Sequence, residues 1–174
     1  AQLIRADTDE HLWAANFDSL PGKARGVLEQ ARKYGPDLTE TLLAEGTYQY
    51  FIEEHYGNSL IHYEKALAQS PGNGDAWFNK AMILRRFGEM EDSITANWKA
   101  IEIDPLNSSY LSNLGGSYLT IGRWREARAL FQRILEINPD NIAAVNEINR
   151  IDAEISGDFH QPFHRVIAIP KQER

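Results

Sequence analysis

The sequence predicts an all-α fold, a stack of helical hairpins, and three observations carry that prediction. Pro71, Pro105 and Pro139 stand 34 residues apart, and a fixed period of this size is the mark of a repeat architecture. Aligned on those prolines, the columns agree: Leu43, Trp77, Leu111 and Val145; Tyr50, Leu84 and Tyr118; Ser59, Ser93 and Ala127; Ala66, Ala100 and Ile134. Large residues recur at helical spacing and small ones fall where two backbones cross closely, so each unit reads as two short amphipathic helices.

The units run 40–73, 74–107 and 108–141. Upstream, Ala24, Leu28, Ala31 and Pro36 reproduce the second-helix columns, with Pro36 lying 35 residues before Pro71. Ser19 and Pro21 suit a helix start and Gly35 a stop, which predicts a helix over about 21–34. Leu12, Trp13 and Phe17 mark a partner helix over about Asp9 to Phe17, so 5–38 reads as a degenerate fourth repeat. Downstream, Val145, Ile148, Ile151 and Ile155 share one face of a capping helix over 142–156, which closes a repeat domain spanning 1–157. Pro162 and Pro170 bracket Val166, Ile167, Ala168 and Ile169, which predicts an extended tail over 158–174.

The third unit carries Leu111, Leu114, Gly115, Tyr118, Gly122, Trp124, Ala127, Phe131 and Pro139 at fixed offsets, and this set resembles the tetratricopeptide repeat (TPR) family. The second unit departs from the family at Lys80, where Leu is usual, and at Asn97, where an aromatic is usual. The first has Gly46 and Thr47 in the Leu-Gly slots and Glu54 in place of the turn glycine. These two repeats are expected to be looser than the third.

The resemblance implies a right-handed superhelix whose first helices line a concave groove that receives a peptide or partner segment. In that register the inward residues are Tyr48, Phe51 and Ile52, then Phe78, Asn79, Met82, Arg85 and Arg86, then Ser112, Asn113, Gly116 and Leu119, then Asn146 and Arg150. Aromatic and Met surface suits apolar side chains, Asn amides suit an extended backbone, and arginines suit carboxylates. The plainer reading makes Phe78 and Met82 packing residues and the arginines solvated charge, so the set rather than any one residue carries the groove. Some family members hold the acidic C-terminus of chaperones in a clamp of lysines, asparagines and an arginine. The corresponding positions here are Ala44, Tyr48, Asn79, Ser109 and Asn113; only Asn79 matches, and a chaperone-tail adaptor is not expected.

Trp98 follows Asn97 at a slot occupied by Glu64 and Gln132 in the neighbouring units. Its spacing from Ile94 and Ile101 allows it to tuck against an adjacent helix in place of the aromatic missing at Asn97; the alternative is an exposed interface anchor. The runs Ile83-Leu84-Arg85-Arg86-Phe87-Gly88 and Ile103-Asp104-Pro105-Leu106-Asn107 resemble repeat tails of bacterial adenylate-cyclase-like signalling proteins over residues 24–141.

A net charge of −7 gives no general attraction to nucleic acid or anionic lipid. No window approaches the roughly 20 apolar residues of a membrane span, so neither nucleic acid nor membrane insertion is expected. Cysteine is absent, which removes disulfides, a thiol nucleophile and thiolate-bound zinc. His160 and His164 lie four apart beside Asp158, but Pro162 between them disfavours a helix and weakens a metal reading. His11, His55 and His62 have no nearby Ser in a nucleophile arrangement, and Leu114-Gly115-Gly116-Ser117 falls inside a repeat helix rather than in a phosphate-cradling loop. The chain is therefore read as a non-enzymatic, cofactor-free and metal-free cytoplasmic scaffold that binds a protein or peptide in its groove. The second reading is a homo-oligomerisation module working through Trp98, the N-terminal helix or the tail, or the regulatory tail of a larger bacterial signalling protein. The start at Ala1-Gln2 is read as a domain cut from a longer chain rather than a secreted protein after leader removal.

Overpacking a close helix crossing costs roughly 1 to 3 kcal/mol. Ala127→Leu is therefore expected to lower the melting temperature more than Glu126→Leu; equal melting temperatures would contradict the assigned register.

Overall fold

A computed structural model of the chain describes residues 20–156. Eight helices follow in order: α1 (Leu20–Tyr34), α2 (Thr39–Phe51), α3 (Tyr56–Gln69), α4 (Gly74–Phe87), α5 (Met90–Ile103), α6 (Ser108–Thr120), α7 (Trp124–Ile137) and α8 (Ile142–Ser156). The described residues form no strand. The helix expected over 21–34 is α1 and the expected capping helix is α8. The readings of Asp9 to Phe17, His11, His160, His164 and the tail concern residues outside those described.

The helices pair as α2 with α3, α4 with α5 and α6 with α7, and each second helix packs in turn on the next first helix, ending with α7 on α8. The result is an all-α helical-repeat superhelix. None of these helices exceeds 15 residues, and helices of that length are marginal in water on their own. Stacking therefore holds them.

Three asparagines, again 34 apart, start the later first helices. The side-chain oxygen of Asn73 accepts from the Ala76 N–H at 2.8 Å. Asn107 accepts from Ser109 and Tyr110 at 3.1 and 3.4 Å, and Asn141 from Ala144 at 2.9 Å. Such caps contribute about 1 kcal/mol each. Before α2 stands Leu38, which has no capping side chain.

Within each hairpin the small-residue column sets the approach. The Ser59 hydroxyl donates to the Gly46 carbonyl at 2.7 Å and the Ser93 hydroxyl to the Ala81 carbonyl at 2.8 Å; Ala127 is fully buried. Opposite them, a Cβ on Gly46 would stand 2.8 Å from the Tyr63 ring, and one on Gly115 would stand 2.9 Å from the Phe131 ring. Those two glycines make room for the aromatic of the facing helix. In the third repeat Leu111, Leu114, Tyr118, Leu130, Phe131 and Ile134 join Ile151 of α8 in one buried cluster.

The departures noted in the sequence are met with polar bonds. The Lys80 ammonium reaches Glu64 Oε1 at 2.8 Å and stands 5.8 Å from the centroid of the Trp77 ring. Asn97 fills the missing aromatic's slot itself, fully buried, and accepts the Asn113 side-chain amide at 2.9 Å. Trp98 thus does not replace that aromatic: its indole N–H donates to the Tyr118 hydroxyl at 3.2 Å while the ring stays 40 % exposed.

The turns between paired helices need a left-handed residue at one position. Gly88 and Gly122 take it with φ of 79° and 76°, and Glu54 takes it with φ of 55°. A side chain there costs roughly 1 to 2 kcal/mol. Glu54→Gly is expected to raise stability to chemical denaturation by about 0.5 to 1 kcal/mol, part of the strain relief being offset by glycine's greater unfolded-state entropy. Gly88→Ala is expected to lower it by about 1 kcal/mol, because no atom lies within 4 Å of the added Cβ and only the backbone cost remains.

Candidate functional site

Successive first helices meet directly at α4 and α6. The Phe78 and Tyr110 rings lie 5.3 Å apart at 32°, the Tyr110 hydroxyl donates to Asp75 Oδ1 at 2.5 Å, and Arg85 lies over Gly116. Burial, together with the Asp75 carboxylate, pushes the Tyr110 phenol far above its ordinary range, so it stays a hydrogen-bond donor. These contacts tie together the helices whose positions the repeat register turns inward.

The candidate groove residues fall into three groups. Tyr48, Ile52, Phe78, Asn79, Met82 and Leu119 are half-buried. Phe78, Met82 and Arg85 recur at helical spacing along α4; Met82 rests on the Tyr50, Tyr63 and Ile83 cluster, and Phe78 and Leu119 rest on the large C-terminal cluster. Phe51, Ser112 and Asn146 are exposed, the Phe51 ring standing edge-on to Tyr50 at 4.7 Å. Arg150, also exposed, pairs with Glu147 on its own helix at 2.5 Å. Asn113 is different: it is only 8 % exposed and its amide belongs to Asn97. Its side-chain amide is engaged inside the stack.

The two neighbouring arginines of α4 have unlike surroundings. The Arg86 Nε–H donates to the Tyr50 hydroxyl at 2.7 Å, and its guanidinium sits 5.1 and 4.6 Å from the ring centroids of Tyr50 and Tyr56. The Tyr50 bond and the aromatic surroundings hold it charged above its ordinary value. Arg85 turns the other way, toward α6, where its one hydrogen bond is a long 3.4 Å contact from Nη1 to the Asn113 carbonyl. Burial lowers its tendency to stay charged, and Arg86 beside it adds to the effect. No carboxylate of the described residues lies within ion-pair distance of it.

Away from this strip, a second polar cluster joins α1 to the array. Arg32 pairs with buried Glu45 through both carboxylate oxygens, the second at 2.7 Å. His62 lies near the pair, and burial holds its imidazole below the ordinary histidine value. No helix of the described residues is long and apolar enough to cross a membrane.

The fold and its inner strip define a helical-repeat solenoid. Tetratricopeptide repeat family models match residues 62–96 and 108–141. These two segments of the chain are thus matched as tetratricopeptide repeats. Among curated proteins it is similar to Hsp70-Hsp90 organizing protein 2 of Arabidopsis thaliana, 25% identical over 134 residues, which is 77% of this chain and 23% of that protein. It is likewise similar to the Hsp70-Hsp90 organizing protein of Triticum aestivum, 25% identical over 143 residues, 80% of this chain and 24% of that one. The chain thus spans about a quarter of the length of these relatives. Among solved structures, the fold is shared with the first TPR of Spaghetti (RPAP3) bound to the HSP90 peptide SRMEEVD: TM-score 0.64, 22% identity, 68% of this chain and 93% of that one. MamA shares it with TM-score 0.68, 20% identity, 87% of this chain and 86% of that one.

Repeat register alone turns Asn113 toward the groove and does not disclose the Asn97–Asn113 bond; the signal for it in the sequence is an Asn at 97, in a slot that wants an aromatic. Asn113→Ala strands a buried acceptor, which costs roughly 1 to 3 kcal/mol. It is expected to destabilise the fold by that amount in urea unfolding, Asn79→Ala by much less. The double variant Asn97→Ala, Asn113→Ala is expected to cost less than the sum of its parts.

Proposed function

We propose that this repeat array is a protein-interaction scaffold that holds an extended segment of a partner protein against the inner face of α2, α4 and α6. The observation that carries the reading is the strip of half-buried apolar side chains on these first helices, Phe78, Met82 and Leu119, beside exposed small residues such as Ser112. Half-buried aromatic and Met side chains already fixed by packing underneath lose little entropy on binding, which favours affinity. Peptide binding by the Spaghetti (RPAP3) repeat domain supports the class of function. Its chaperone ligand is not carried over, because the clamp positions here are Ala44, Tyr48, Ser109 and a buried Asn113, with only Asn79 in common.

Self-assembly is the second reading, favoured by the 40 % exposed Trp98 ring on α5. A concentration-independent monomer in light scattering would remove it. The cytoplasm is the compartment we assign to the scaffold.

Selection of a displayed random-peptide library on the immobilised chain is expected to yield binders. Ser112→Trp, which fills the inner face at an exposed position, is expected to weaken them at least tenfold, whereas Ile61→Glu, exposed on a second helix, is expected to leave them unchanged. Binders indifferent to Ser112→Trp would remove the groove assignment.

A further inference from the structure

We infer that Arg85 is the anchor for a carboxylate side chain, Asp or Glu, of the partner segment; this rests on the groove reading above and adds the chemistry of its ligand. Three observations lead there. First, Arg86, next to it in sequence, is already engaged by the Tyr50 hydroxyl and two tyrosine rings, so the pair is not a generic basic patch. Second, Arg85 is half-buried yet among the described residues has only the 3.4 Å bond to the Asn113 carbonyl, and that carbonyl already accepts the Ser117 hydroxyl at 3.1 Å. An arginine carries five N–H donors in a planar fork, and desolvating that fork without an anion is unfavourable. Elsewhere arginines of the described residues do meet carboxylates, as Arg32 with Glu45, Arg128 with Asp152 and Arg150 with Glu147. Arg85 has none within reach among the described residues.

Third, the guanidinium has a built seat. Its Nη1 lies 2.7 Å from the place a Cβ on Gly116 would occupy, so any other residue at 116 would displace it. The glycine leaves room for the Nη1 end of the fork against α6, and a planar guanidinium held at one end favours bidentate carboxylate recognition. Met82 and Phe78 share that face of α4 at helical spacing, and apolar neighbours strengthen such a pairing. Because α4 is a middle helix, with α2 before it and α6 and α8 after it, a segment lying over Arg85 extends in both directions. That favours a side-chain carboxylate over a chain terminus.

The test uses two acetylated and amidated nonapeptide pools, degenerate except for a central Glu in one and a central Gln in the other, titrated by fluorescence anisotropy. The Glu pool is expected to bind the wild-type chain about tenfold more tightly, the preference to vanish in Arg85→Gln, to return in part in Arg85→Lys, and to survive Arg86→Gln. Thermal melts of each variant confirm folding. Equal binding of both pools by wild type, or a preference that persists in Arg85→Gln, overturns the anchor while leaving the groove standing. A Gln pool with a free C-terminal carboxylate that outbinds the amidated Gln pool overturns the side-chain assignment in favour of a terminus. Binding of no pool at all removes the groove reading and the anchor with it.

Discussion

The close crossing of the two helices in each hairpin governs the rest of the structure. A second helix reaches its partner only if the residue at the crossing is small, and Ser59, Ser93 and Ala127 occupy that place with full burial. Serine is acceptable in such a dry contact because its single donor finds a backbone carbonyl across the interface, Gly46 in one hairpin and Ala81 in the next. The same short separation drives the Tyr63 and Phe131 rings against backbone that must be glycine. With the pair distance set, the next first helix has only one place to pack, and the hairpins propagate into a superhelix.

Two polar groups inside this stack are answered by a second polar group. Asn97 stands in an aromatic slot but accepts the Asn113 amide, and buried Glu45 is matched by Arg32 from α1. The second case links stability to assembly: removing Arg32, itself half exposed, leaves the buried Glu45 carboxylate uncompensated, so Arg32 ties α1 to the array more firmly than its apolar contacts alone. Lys80 solves the same problem by length, carrying its ammonium out to Glu64, where it also stands 5.8 Å from the centroid of the Trp77 ring.

Much of this was legible in the sequence because the period fixes what backbone packing needs. The eight helices, the small-residue column and the turn position held by Gly88, Gly122 and Glu54 all follow from columns that can be read by counting. The capping asparagines Asn73, Asn107 and Asn141 obey the same period and were equally available, yet a column defined by hydrogen bonding is less conspicuous than one defined by size. What counting cannot reach is a side chain's choice among neighbours on different repeats. Asn113 and Asn79 occupy the same column, and only Asn113 faces a buried Asn across the interface. Arg85 and Arg86 are adjacent and chemically identical, but a helix rotates successive side chains by about 100°, which sends one to the tyrosines of the first repeat and the other to the third.

Specificity in such an array must reside where columns disagree, since columns that agree are committed to packing. Along the inner strip α4 presents Phe78 and Met82 where α6 presents Ser112 and Gly116 in the same register. The surface therefore steps down from α4 to α6, and the Arg85 guanidinium crosses that step to rest on Gly116. In the groove proposed above, a ligand filling the lower level would meet the apolar side chains of α4 on one side and the N–H donors of Arg85 beside it. An uncharged apolar segment would gain the wall but leave the fork desolvated and unpaired, a penalty that works against the wrong partner as effectively as the wall works for the right one.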